Sequence, residues 1–145
     1  MERLEPALIQ CAEQRLAYPV VDCFFSREAS LSLNLQLAIL DEALTLATLG
    51  LEQTAEPERF LVDRARQVIG YYLEISALHL TRLSPKEPDF SVAALQEWAR
   101  GVDGLSVRSQ EDFQSLLMPL AERRQALHKL VQRDAWHWGA VNAAK

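Results

Sequence analysis

The stretch "LSLNLQLAILDEALTLATLGL", residues 31–51, restricts the fold of this 145-residue chain more than any other. It is the most apolar run in the sequence, and its length approaches the roughly 20 residues a helix needs to cross a bilayer. Asn34, Gln36, Asp41 and Glu42 interrupt it, and an Asp-Glu pair at mid-bilayer is penalised by several kcal/mol. The alternation of Leu31, Leu33, Leu35 and Leu37 imitates a strand, whose side chains alternate faces. The continuation into "DEALTLATL" and the lack of β-branched residues in the alternating part point instead to helix. A buried core helix is therefore expected here.

Turn signals cut the remainder into further helical segments. The first runs from about Leu4 to Phe25, with a kink or break near Pro19, because proline removes an interior hydrogen bond. "SREAS" connects it to the Leu-rich segment, which is expected to stop near Gly50. Pro57 suits the first turn of a third and longest helix, about Glu58 to Leu83. "SPKEPD" ends that helix, and Asp89 is a candidate cap for a short fourth, Phe90 to Arg100. Ser109 is a candidate N-cap for the fifth, with Asp112 near a capping-box position and a kink at Pro119. No repeat or long linker divides the chain. The expected fold is all-α: one domain over residues 1–145, a bundle of about five helices, mostly antiparallel.

Helical wheels locate the core. On the third helix Leu61, Ala65, Val68, Ile69, Tyr72 and Ile75 share a broad face, while Asp63, Gln67 and Glu74 lie opposite. Leu83 extends that face, and Val62, Leu73 and Leu80 widen it. His79 falls in the apolar stripe and reads as a core histidine with a hydrogen bond. Gly70 weakens a helix interior by about 1 kcal/mol relative to alanine, so it is a candidate for a close backbone approach. On the fifth helix Phe113, Leu117, Leu120, Leu127 and Val131 form one stripe. Arg124 falls inside it and His128 flanks it, so Arg124 needs a partner or an exit to water. Glu42 and Glu74 are candidate partners by type.

Composition narrows the class. Hydrophobic residues make up 49% and charged residues 24% of the chain, the balance of a folded protein. The formal charge of −5 disfavours nucleic acid and anionic membrane as non-specific partners. Cys11 and Cys23 lie in apolar surroundings without zinc-ligand spacing, and "MERLEPALIQ" lacks the apolar core of a leader. A cytoplasmic protein with no membrane contact, no metal and no cofactor is the expectation from these features.

The chemistry-bearing residues gather in "AERRQALHKLVQRDAWHWGA". Arg123 followed by His128 on a late helix of an all-α domain resembles the HEPN ribonucleases. That resemblance covers the six residues Arg123 to His128. It implies a site, usually doubled across a homodimer, that promotes attack of an RNA 2′-hydroxyl on the adjacent phosphate. Arg123 would stabilise charge on the phosphorus and His128 would move a proton. Arg124 stands where the family usually has a small polar residue, and Leu130 where it often has an aromatic. Asp134 and His137 are spaced to share one helical face, which is half of a metal site. Trp136 and Trp138 would point to different sides of a continuing helix, one into the core and one toward a partner.

No Gly-rich phosphate loop, nucleophile elbow or Glu-x-x-His motif occurs. The favoured role is non-enzymatic: a helical interaction module that binds a protein partner or self-associates as a homo-oligomer. Arg124, Trp136, His137 and Trp138 are its candidate binding residues. The alternatives are a HEPN-like ribonuclease, active or inactive, and a small-molecule sensor with a pocket using His79 and the tyrosines.

Overall fold

The computed structural model describes residues 4–17, 27–50, 56–77, 90–101 and 110–143. The fold is all-α, with no strand among the described residues. In chain order the helices are α1 (Leu4–Ala17), α2 (Leu33–Gly50), α3 (Glu56–Ala77), α4 (Val92–Arg100), α5 (Gln110–Leu117), α6 (Ala121–Arg133) and α7 (Gly139–Asn142). The expectations for Pro19, Cys23, His79, Leu80, Leu83, Asp89 and Ser109 lie outside the described residues, as do those for the side chains of Asp112 and Phe113.

The apolar run forms α2. A 3-10 turn at Ala29–Leu31 precedes it, and Ser32 Oγ accepts from the Leu35 N–H at 3.4 Å to satisfy the first turn. Leu35, Leu37 and Ala38 are buried, and so are Asn34, Asp41, Glu42 and Thr45. The polar residues that interrupt the run, Gln36 excepted, thus face inward and must find partners on neighbouring helices.

Those partners set the topology. Near the start of α2, Tyr72 Oη donates to Asn34 Oδ1 at 2.8 Å; near its end, Arg66 Nη2 donates to Thr48 Oγ1 at 3.4 Å. Rising numbers on α2 meet falling numbers on α3, so the two run antiparallel. The same holds for α6. Asp134, just past its end, accepts from Asn34 Nδ2 at 2.8 Å, while Arg123 and Arg124 in its first turn meet Asp41 and Glu42. Helix α1 packs on α3, and α7 returns onto α2.

Two apolar clusters hold these elements. The main one joins α1, α2, α3, α6 and α7 around Leu35, Ile69, Tyr72, Leu127, Val131 and Trp138. A second, smaller one joins Leu46 of α2 to Leu95 and Ala99 of α4 and Leu117 of α5. Pro119 breaks the late helix as its missing N–H requires, through a 3-10 turn at Met118–Leu120 between α5 and α6.

Three local expectations change. The side chain that caps α4 is Ser91, whose Oγ accepts from the Ala94 N–H at 3.1 Å. A Cβ at Gly70 would meet nothing within 4 Å, so this glycine does not mark a close approach. And "DAWHW" does not continue the helix. The Ala135 N–H bonds Gln132 O at 2.9 Å, the Trp136 N–H bonds Val131 O at 3.0 Å, and Ala135 has φ 61°. This is the paired closure that ends helices with a left-handed residue, formed here on alanine instead of glycine. Asp134 and His137 therefore share no helical face.

Candidate functional site

The seam between α2 and α6 collects most of the chemistry that the sequence offers. Arg124 is the arginine in the apolar stripe of α6, and its partner is Glu42: Nε to Oε1 is 2.5 Å, with both side chains buried. One residue earlier on each helix, Arg123 Nε lies 3.0 Å from Asp41 Oδ1 and donates to Oδ2 at 3.2 Å. Arg66 reaches toward the same place from α3, close enough for its charge to act on Asp41. Glu74, the other candidate partner, is exposed on the far side of α3.

Burial dominates the electrostatics of the seam. It pushes the Asp41 carboxyl above its ordinary range, although Arg123, and then Arg66 and Arg124, pull it back. Burial likewise raises Glu42 against the pull of Arg124, and the neighbouring Asp41 charge adds to the rise. Burial and the nearby Arg123 charge together lower Arg66. Glu42 Oε2, Arg123 Nη2 and Arg124 Nη2 have no hydrogen-bond partner among the described residues. The pairs are thus close but incompletely satisfied, an arrangement that contributes little net stability yet penalises removal of either partner.

An aromatic nest lies against this seam. The Phe90 ring, just before α4, stacks on the His128 ring with centroids 4.3 Å apart and planes 7° apart. The indole of Trp138 meets both rings edge-on, at 5.0 Å from Phe90 and 5.5 Å from His128. The Arg124 guanidinium lies 4.8 Å from the Phe90 centroid and 5.9 Å from that of Trp138, so it is held by a carboxylate and by two ring faces together. At the far end of the seam, Asp134 accepts from Asn34 and, at 3.3 Å, from Ser32 Oγ.

The site residues named from sequence therefore separate. Arg124 and Trp138 belong to one buried nest. Trp136 is half-buried against the main cluster, and His137 is exposed on the turn beyond α6. Of the arginine–histidine pair in the ribonuclease resemblance, Arg123 is engaged by Asp41 and His128 is buried in the ring stack. Tyr72 is buried and bonded to Asn34, and Tyr71 points outward. No group of three or more potential metal ligands occurs among the described residues. Phe90, Asp41 and Asn34 were missed as site residues. The acids in the apolar run signalled that α2 had inward charges, and residue type offered Glu42 to Arg124, but nothing chose Glu42 over Glu74.

The surface carries a different feature. Phe60 and Tyr71 lie eleven residues apart on α3, about 20° from each other on its wheel, and are 68% and 42% exposed. Leu61 beside them is also exposed, as is Met118 on the 3-10 turn.

In comparisons with known proteins, no family model and no solved structure matches the chain. A curated relative does: the uncharacterized membrane protein YdjJ of Bacillus subtilis (strain 168), 30% identical over 128 residues. The match takes in 86% of this chain and 36% of the relative, so the chain corresponds to about a third of that protein. This overturns the expectation of a cytoplasmic chain with no membrane contact, because the relative is a membrane protein. The expectation rested on the charge, the thiols and the polar interruptions of these residues alone, and a neighbouring segment can hold a membrane without leaving a mark on any of them. No helix among the described residues is long and apolar enough to cross a membrane.

Proposed function

We propose that this chain is a helical interaction module, binding a protein partner or a second copy of itself within a membrane-associated setting. The observation that carries the reading is the outer face of α3, where Phe60 and Tyr71 stand exposed three turns apart with the polar Arg64 and Gln67 between them. Large aromatic rings set in a polar surround are the residues that dominate protein interfaces. The setting is supported by the relative that is 30% identical over 128 residues, a membrane protein. The charged seam supports the reading from the other side. Its carboxylates and arginines are buried and paired with one another, which suits a structural role.

The test is solution mass by light scattering across about a hundredfold range of concentration, where mass action exposes reversible association. The parent is expected to exceed 16.4 kDa as concentration rises. Phe60→Ser with Tyr71→Ser should return it to that value while the thermal transition stays in place. A parent that remains monomeric throughout removes self-association. Photo-crosslinking from position 60 in isolated membranes then tests for a different protein, and an empty result there removes the module reading.

A further inference from the structure

Phe90 sits in its nest as a ligand sits in a binding site. One face lies parallel on an imidazole, a guanidinium lies 4.8 Å from its centre, and an indole closes the edge. Those three groups belong to α6 and the segment just after it, which the Glu42 pair and the main core fix in place. Phe90 itself packs against that main core, but the helix it leads into is held by other contacts. That helix is α4, whose buried residues Leu95 and Ala99 sit in the second cluster with Leu46 and Leu117. That cluster is small, and a proline-containing 3-10 turn joins α5 to α6. Few apolar contacts and a separate core are the physical marks of a unit that opens before the rest of the molecule does.

We propose that Arg124, His128 and Trp138 form an aromatic-binding slot that Phe90 fills from within, and that the slot takes an aromatic side chain of a partner segment when α4 lifts away. The stack, the cation over the ring and the edge contact all select a flat aromatic ring over an aliphatic side chain. Phe90 then acts as a competitor that keeps the slot closed. An opening populated at 0.1–10% would weaken an incoming ring's affinity by roughly 10- to 1000-fold relative to an empty slot. The identity of the ring's owner rests on the interaction reading above. The slot itself does not, because a small aromatic molecule can probe it.

The experiment uses the full chain with Phe90→Ala and indole as the probe. Indole is expected to raise the thermal midpoint of the variant and to shift the NMR signals of the His128 imidazole and the Trp138 indole. The parent should need at least about ten times more indole for the same rise. Hydrogen exchange on the parent should show α4 amides opening more often than those of α2 and α6. If Phe90→Ala does not fold, Phe90→Leu keeps an apolar plug without a ring and carries the same measurements. A folded variant that gains nothing from indole overturns the slot. So does a rise without shifts at His128 and Trp138, or an equal response in the parent. Protection in α4 equal to that in α2 overturns the competition by Phe90. Monomeric behaviour in the light-scattering test would leave the indole result standing, so the two readings fail separately.

Discussion

At the scale of single residues, two positions hold residue types that their backbone conformations do not favour. Ala135 takes φ 61° to close α6, a backbone region that glycine enters freely and alanine does not. Ala135→Gly is therefore expected to stabilise the fold by about 0.5–1 kcal/mol, the left-handed strain outweighing the added chain entropy. A higher urea midpoint with an unchanged slope would show it. Gly70 presents the reverse case, since it stands inside α3 with open space where a Cβ would go. Gly70→Ala should add about 0.5–1 kcal/mol by the same measurement. These positions also mark where sequence reading ran short. A glycine at 135 would have announced the end of the helix; an alanine announces its continuation, so the turn that sets Trp136 and Trp138 apart from α6 left no signal. Arg124 was legible for the opposite reason. A charge inside a stripe of leucines demands a partner, and Glu42 was one of two acids placed to supply it.

At the scale of elements, the α2–α6 seam decides how the helices respond to mutation and to pH. Arg124→Met or Glu42→Leu alone should each destabilise by about 3–5 kcal/mol, because each strands a buried charge. The two together should come within about 1 kcal/mol of the parent, a coupling that a double-mutant cycle by urea denaturation would read. The pH dependence follows from the directions at Asp41 and Glu42. Both carboxyls are raised above their ordinary values of 3.8 and 4.5, so in the pH range just above those values the folded chain binds protons more tightly than the unfolded one. Their contribution to stability is therefore fully present below that range and is lost as pH rises through the raised values. Relative to the Asp41→Asn, Glu42→Gln double variant, the parent should lose stability as pH is raised upward from the ordinary carboxyl range. A parent that gains instead would mean that attraction to the arginines outweighs burial. The break at Pro119 and the span of α4 were readable, because proline and apolar periodicity act locally. The pairing of α2 with α6 was not, since it joins residues 82 apart through side chains of common type.

At the scale of the whole molecule, the two clusters divide the chain into parts of unequal hold. Leu127→Ala, in the main cluster, is expected to lower stability by about 2–5 kcal/mol and to unfold the chain in one step. Leu95→Ala, in the smaller cluster, should first release α4 and α5, visible as faster hydrogen exchange in those helices while α2 and α3 remain protected. One uniform loss of protection in both variants would show a single cooperative unit instead. The all-α architecture was legible from the start. The split was not, because both clusters draw on the same kinds of leucine and alanine, and only the positions of the helices separate them.

The polar column along α2 has a consequence for uniqueness. A smooth apolar helix can slide along its neighbour by one turn, about 5.4 Å, and bury nearly the same area in the new position. Here such a slip would carry Arg124 past Glu42 and pull Asp134 from Asn34 at the opposite end of α6. Two polar contacts a helix-length apart act as notches of a key, and only one alignment of α6 on α2 engages both. Replacing every member of the column with leucine would leave a chain that still collapses, with several alignments close in energy and no single one preferred.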